Sequence, residues 1–325
     1  MGKRGLSLSL IHTHTYTISD GSLIVDLQMG VKYGYPLEDV ITGLTIKCRG
    51  WKSVYLNPAK KAFLGLAPIT LDQMLVQHKR WAEGHLQLFL SRYYPLWQGH
   101  GKITLGLQMA YSYYNIWATY GPFTLYYLVI PSLCLLKGIP LFPKVSSPWI
   151  LPFAYLIIAS SINSLGEFLW TGGSIRSWWN DKRKWIHRKT ASYNFAIIET
   201  ILKELGFTKS AFAITAKVAD DDVMKRYEQE IMEFGTNSPM LSILTTVALI
   251  NLFSLVGGLK RLLMSPSADV FDTWSLQVFL CGLAVAINLP IYQGLFFRKD
   301  NGRIPISLVS RSIVLALIVS MLPMY

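Results

Sequence analysis

The sequence predicts a mainly α-helical membrane protein: a remnant of an α/β domain, then about five transmembrane helices, with amphipathic helices at the interface. Three observations carry that prediction. Of 325 residues, 51% are hydrophobic and only 15% charged, against about 25% charged in soluble domains. Apolar stretches that approach the roughly 20 residues needed to cross a bilayer take up most of the chain after residue 100. The formal net charge is +12, and the bases flank the apolar stretches, as orientation in a membrane requires. They form no free basic arm, which argues against nucleic acid as the partner.

Residues 1–28 are polar and weakly patterned, and are expected to be an unstructured or foreign lead-in. The run after Lys3 and Arg4 is too short for a signal peptide. From Val31 to about Pro68, β-rich stretches at Thr45 to Cys48 and Ser53 to Leu56 alternate with turns at Gly43, Gly50 and Asn57-Pro58. Residues 29–100 therefore read as a partial cytosolic α/β domain. From Thr70 the period changes. Leu71, Met74, Leu75, Trp81, Leu86, Leu88 and Phe89 recur at helical spacing, predicting a helix to about Ser91.

Spans are predicted at about 116–137, 149–170, 239–258, 273–294 and 306–324. The loop 171–238 carries eleven bases and belongs on the cytoplasmic side, with the soluble start. That parity allows one span between residues 103 and 137, so 103–114 reads as an amphipathic helix lying at the interface. Residues 176–205 mix Trp178, Trp179, Trp185 and Tyr193 with many bases, the pattern of a helix in the headgroup layer.

Two constellations could carry chemistry. Glu38-Asp39 places adjacent acids in YPLEDVITG. A carboxylate can take the proton of an attacking hydroxyl, and it can equally cap a helix or sit on a solvated turn. In QHKRW, Gln77, Arg80 and Trp81 stand at i, i+3 and i+4 and share one helical face. Gln pairs with hydroxyls, Arg grips phosphate bidentately and Trp offers a flat apolar surface; the alternative is core packing by Trp81 and a snorkelling Arg80.

In order, these motifs resemble plant cellulose synthase-like proteins of glycosyltransferase family 2, E and G groups. The likeness is carried by YGYPLEDVITGLTIKCRGWKSVYLNP, APITLDQMLVQHKRWAEG, SSPW, GGSIRSWWN, FAITAKVADDD and NLPIYQGLFFRKDNGRIP, from about Met29 to Tyr325. The resemblance implies that Asp39 is the general base and that Gln77, Arg80 and Trp81 bind substrate. It also implies that Phe212, Thr215 and Lys217 belong to a gating loop over bound nucleotide. By the same resemblance, 101–325 forms a transmembrane channel region, with the interfacial helix and gating loop within 171–238. Trp117, Tyr126, Tyr127 and Trp170 are candidates to stack on a glycan there, or to form an ordinary interfacial belt.

The implied reaction is inverting transfer from a UDP-sugar to a growing β-glucan or hemicellulose chain in plant cell-wall biosynthesis, in a multi-pass Golgi membrane protein. The plasma membrane and the endoplasmic reticulum are alternatives. Membrane lipid is an expected partner, and a homo-oligomer a further one. The family uses a divalent cation, Mg or Mn, held by acidic motifs upstream of the E-D pair. The acids before Asp39 are only Asp20, Asp26 and Glu38, so the chain is expected to be a carboxy-terminal fragment that lacks the donor and metal motifs. No metal site is expected here. Cys48, Cys134 and Cys281 are far apart, the six His are dispersed but for His12 and His14, and Asp220 to Asp222 read as the cap of a helix running to Phe234. Two other readings stay open: an inactive membrane fragment or assembly partner, and transfer of a single sugar to a lipophilic acceptor such as a triterpenoid. A transporter is disfavoured, because no charge interrupts 239–258 or 273–294.

Overall fold

The computed structural model describes residues 36–54, 68–207, 221–229, 231–235, 238–300 and 302–323. Helix α1 is Glu38–Cys48, so Thr45 to Cys48, read from sequence as a β-stretch, form its last turn. Ile41 and Leu44 bury a helical face, acids open the helix and Lys47 closes it. Those terms outweigh the few tenths of a kcal/mol that β-branched residues cost a helix. Residues 51–54 have no regular structure, and the rest of the second expected β-stretch lies outside the described residues. Among the described residues there is no sheet; the β-type pairing is an isolated parallel bridge between Thr70 and Glu233.

Helix α2, Leu71–Leu90, falls where the apolar period placed it. It is followed by α3, Pro95–Gln98, and α4, Leu105–Asn115, the helix expected at the interface. A 3-10 turn, Trp117–Thr119, then leads into α5, Tyr120–Lys137. Next come α6, Ile150–Trp170, α7, Ile175–Thr190, α8, Ser192–Glu204, and α9, Asp221–Glu228. The last are α10, Pro239–Met264, α11, Ala268–Ile287, α12, Leu289–Tyr292, and α13, Ile306–Met321.

Among the described residues, four segments are long and apolar enough to cross a membrane: Trp117–Lys137, Ile150–Trp170, Pro239–Met264 and Ala268–Ile287. The fifth expected span, α13, is apolar but has 16 residues. At about 1.5 Å per residue it falls short of the roughly 30 Å hydrocarbon layer.

The described residues divide into two compact units. One takes in 36–54, 80–118 and 196–207; the other takes in 68–79, 119–195 and the described residues from 221 on. In the second, α10 packs against α5, α11 and α13, and α5 against α7. Leu71, Leu75, Phe234, Leu241, Ile291 and Leu308 centre its core. Polar pairs tie the apolar helices together: Ser132 Oγ donates to Asn251 Oδ1 (2.8 Å) and Gln277 Nε2 to the Pro131 carbonyl (2.8 Å). Gly138 ends α5 in the left-handed conformation at φ +79°, while Arg261 Nη1 donates to the Leu135 carbonyl at 3.2 Å.

The helix expected to run from Asp220 to Phe234 stops at Glu228. Residues beyond it instead close the start of α2. Leu71 N donates to Glu233 O (2.6 Å) and Asp72 N to Phe234 O (3.1 Å), satisfying N–H groups that a helix start leaves open. The Glu233 carboxylate is buried between Arg226 (2.7 Å) and Arg298 (2.9 Å).

Candidate active site

Asp39 stands in the first turn of α1, exposed, its Oδ1 accepting from Val40 N at 2.9 Å. A helix N-terminus favours a carboxylate there. What fixes its place is the preceding residue but one. Leu37 is buried against Gly84 of α2, so closely that a Cβ on the glycine would lie 2.7 Å from Leu37 Cγ and 3.1 Å from Pro36 Cβ. From the other side, the Tyr111 hydroxyl of α4 would lie 3.4 Å from a Cβ on Gly43 of α1. The Cys48 thiol at the far end of α1 reaches the Gln98 carbonyl at 3.7 Å. Asp39 thus sits at the meeting of α1, α2 and α4.

Electrostatics agree. Burial pushes the His85 imidazole down to about 4, opposed by its hydrogen bond to Asn115 and by the negative charge of Asp39. Burial likewise raises Tyr111, with Cys48 and Asp39 adding to it. His85 is therefore a neutral ring whose Nδ1–H donates to Asn115 Oδ1 (3.0 Å), with Trp117 beside it at 5.7 Å between centroids.

On α2, Gln77 and Arg80 are half-buried and Trp81 is 8% exposed. The indole therefore packs inside and shows little face for a sugar to stack on. Arg80 and Trp81 belong to the unit that holds Asp39; Gln77 lies on the part of α2 that belongs to the other. Phe212, Thr215 and Lys217 lie outside the described residues. Of the four aromatic candidates for stacking, Trp117 is buried, whereas Tyr126, Tyr127 and Trp170 are exposed. Among the described residues no three His, Cys, Asp or Glu side chains gather as metal donors. Those residues do not fit a divalent cation. Asp221 and Asp222 open α9.

Sequence reasoning missed the buried pair of Glu83 on α2 and Lys203 on α8. It also missed the seat that Gly84 provides. A glycine inside a helix costs about 1 kcal/mol relative to alanine, which is the signal that a close approach occupies its place.

What this arrangement offers chemically is an exposed carboxylate beside a helix carrying Arg80, with a neutral buried His behind it. The cellulose synthase family model matches residues 25–325. The chain is 49% identical over 295 residues to cellulose synthase-like protein E1 of Oryza sativa subsp. japonica, covering 91% of this chain and 40% of that protein. It is 30% identical over 276 residues to quillaic acid 3-O-glycosyltransferase CSL1 of Saponaria officinalis, covering 85% of this chain and 39% of that one. It is 32% identical over 302 residues to cellulose synthase A catalytic subunit 4 [UDP-forming] of Oryza sativa subsp. indica, covering 91% and 29%. The chain thus spans about 40% of the length of the relative matched at 49%. With the family model matched from residue 25 to the last residue, and the E-D and Q-x-x-R-W residues set on α1 and α2, the chain belongs to the cellulose synthase family.

Proposed function

We propose that the protein containing this chain is an inverting glycosyltransferase that moves a sugar from a UDP-sugar to a β-glucan or hemicellulose acceptor in plant cell-wall biosynthesis. The chain holds the acceptor-side machinery. The observation that carries this reading is the seating of Asp39 by Leu37 on Gly84: an exposed carboxylate, backed by neutral His85, held at the helix that bears Arg80. Asp39 accepts the proton of the acceptor hydroxyl as that oxygen attacks the anomeric carbon and the UDP oxygen leaves. Arg80 grips a diphosphate oxygen and Gln77 an acceptor hydroxyl. Phe212, Thr215 and Lys217 close over the nucleotide. Golgi membrane is the proposed location, with lipid around the spans.

The relative named for quillaic acid favours a second reading, in which a single sugar passes to a small lipophilic acceptor. Membranes from cells expressing the transcript at full length, given labelled UDP-sugar, separate the two by product size. In the same assay Asp39→Asn is expected to lower turnover by about 100-fold or more while UDP binding is retained. Unchanged turnover would remove Asp39 from the reaction.

A further inference from the structure

Arg188, near the end of α7, is 2% exposed. A guanidinium carries five N–H donors and keeps its charge. This one donates no hydrogen bond and forms no ion pair with any described residue, and its Nε is buried without an acceptor. Its carbon lies 5.1 Å from the Trp185 ring centroid, which the Lys189 ammonium also approaches at 5.8 Å. Asp181, two turns back on α7, influences Arg188 without pairing to it. A buried charge left unpaired is costly, and proteins resolve that cost with a partner.

The helix is not free to carry Arg188 elsewhere. Arg183 Nε donates to the Ile287 carbonyl at 2.9 Å and His187 Nε2 to Asn288 Oδ1 at 3.2 Å, pinning α7 to the end of α11 on either side of Trp185. His78, buried on α2, lies within the field of Arg188. Burial and, after it, that positive charge hold the ring well below its ordinary pKa.

We propose that Arg188 forms a buried oxyanion site that takes a phosphoryl group, supplied by the headgroup of an anionic phospholipid. Phosphate suits the bidentate fork of a guanidinium. A nucleotide diphosphate offers the same chemistry, but α7 carries Trp178, Trp179 and Trp185 among its bases, the character of a helix at headgroup depth. The site goes beyond glycosyl transfer and does not depend on it.

The test is thermal unfolding of the purified chain, followed by tryptophan fluorescence, for wild type, Arg188→Met, Arg188→Lys and Arg176→Gln. Each is measured in phosphatidylcholine vesicles, in vesicles containing phosphatidylglycerol, and in phosphatidylcholine with added UDP or inorganic phosphate. Wild type is expected to gain about 5 °C from phosphatidylglycerol. Arg188→Met loses that gain and is at least as stable as wild type in phosphatidylcholine, since it removes an unpaired charge. Arg188→Lys keeps part of the gain, and Arg176→Gln, an exposed cation on the same helix, keeps nearly all of it. A gain from UDP in place of phosphatidylglycerol would keep the site and overturn the lipid as its source. Equal loss in Arg176→Gln would reduce the effect to diffuse surface charge. Marked destabilisation of Arg188→Met in phosphatidylcholine would mean a protein partner for the guanidinium. Either of these last two results overturns the proposal.

Discussion

Leu37 sits on Gly84 with no room for a β-carbon between them, the leucine Cγ being 2.7 Å from where that carbon would stand. Two residues from Leu37 is Asp39, and four and three residues before Gly84 are Arg80 and Trp81. One apolar contact therefore sets the distance between the proposed base and the helix that bears Arg80.

Gly84→Ala tests that contact. Alanine is the better helix former by about 1 kcal/mol, while overpacking costs about 1–3 kcal/mol, so the net loss of stability is small. Transfer in the full-length protein is expected to fall by more than the thermal midpoint implies, because α1 must move. Leu37→Ala in the Gly84→Ala background restores part of the rate by reopening the space. Equal loss in the single and double variants would show that the contact does not position Asp39.

The ion pair of Glu83 and Lys203 is nearly buried, with the two side chains 6% and 15% exposed. Removing one partner of such a pair leaves a charge without its counterion and costs about 3–5 kcal/mol, whereas replacing both is far milder. Denaturant unfolding of Glu83→Gln, Lys203→Met and the double variant should give strong non-additivity, with the double variant more stable than either single. Additive losses would mean that the two groups do not interact.

Acid should weaken the fold through His85 and His187, each held by burial at about 4 against an ordinary 6.5. The unfolded chain takes up these protons near pH 6.5, while the folded chain refuses them until about 4. The unfolded state thus binds more protons in that window, and stability falls as pH is lowered through it. At most about 3 kcal/mol per histidine is at stake. Comparing thermal midpoints from pH 7 to pH 4 in His85→Gln and His187→Gln isolates each contribution from the carboxylates titrating nearby. A slope unchanged in both variants would mean that neither ring is held neutral.

The helical period of α2 was legible to within a residue at each end, and Asp39, Arg80 and Trp81 were singled out by their motifs. Thr45 to Cys48 misled because β-branched residues favour strands in isolation; their neighbours Ile41 and Leu44 decide otherwise by burying a helical face. Trp81, chosen for a sugar-stacking face, is inside. Gln77 and Arg80 share a helical face whatever surrounds them, but where Arg80 stands relative to Asp39 depends on Gly84, which the spacing of the motif does not mention.

By itself, the sequence determined the membrane class, the apolar helices, the basic character of α7 and the family, since these follow from composition and period read along the chain. Only the tertiary structure decided which of the many bases on α7 is buried, that Glu83 meets Lys203 across 120 residues, and that Leu37 seats α1 on α2. The reason is physical. Burial and pairing are properties of contacts between segments far apart in the chain, and a charge or a glycine shows its role only when the surface packed against it is known.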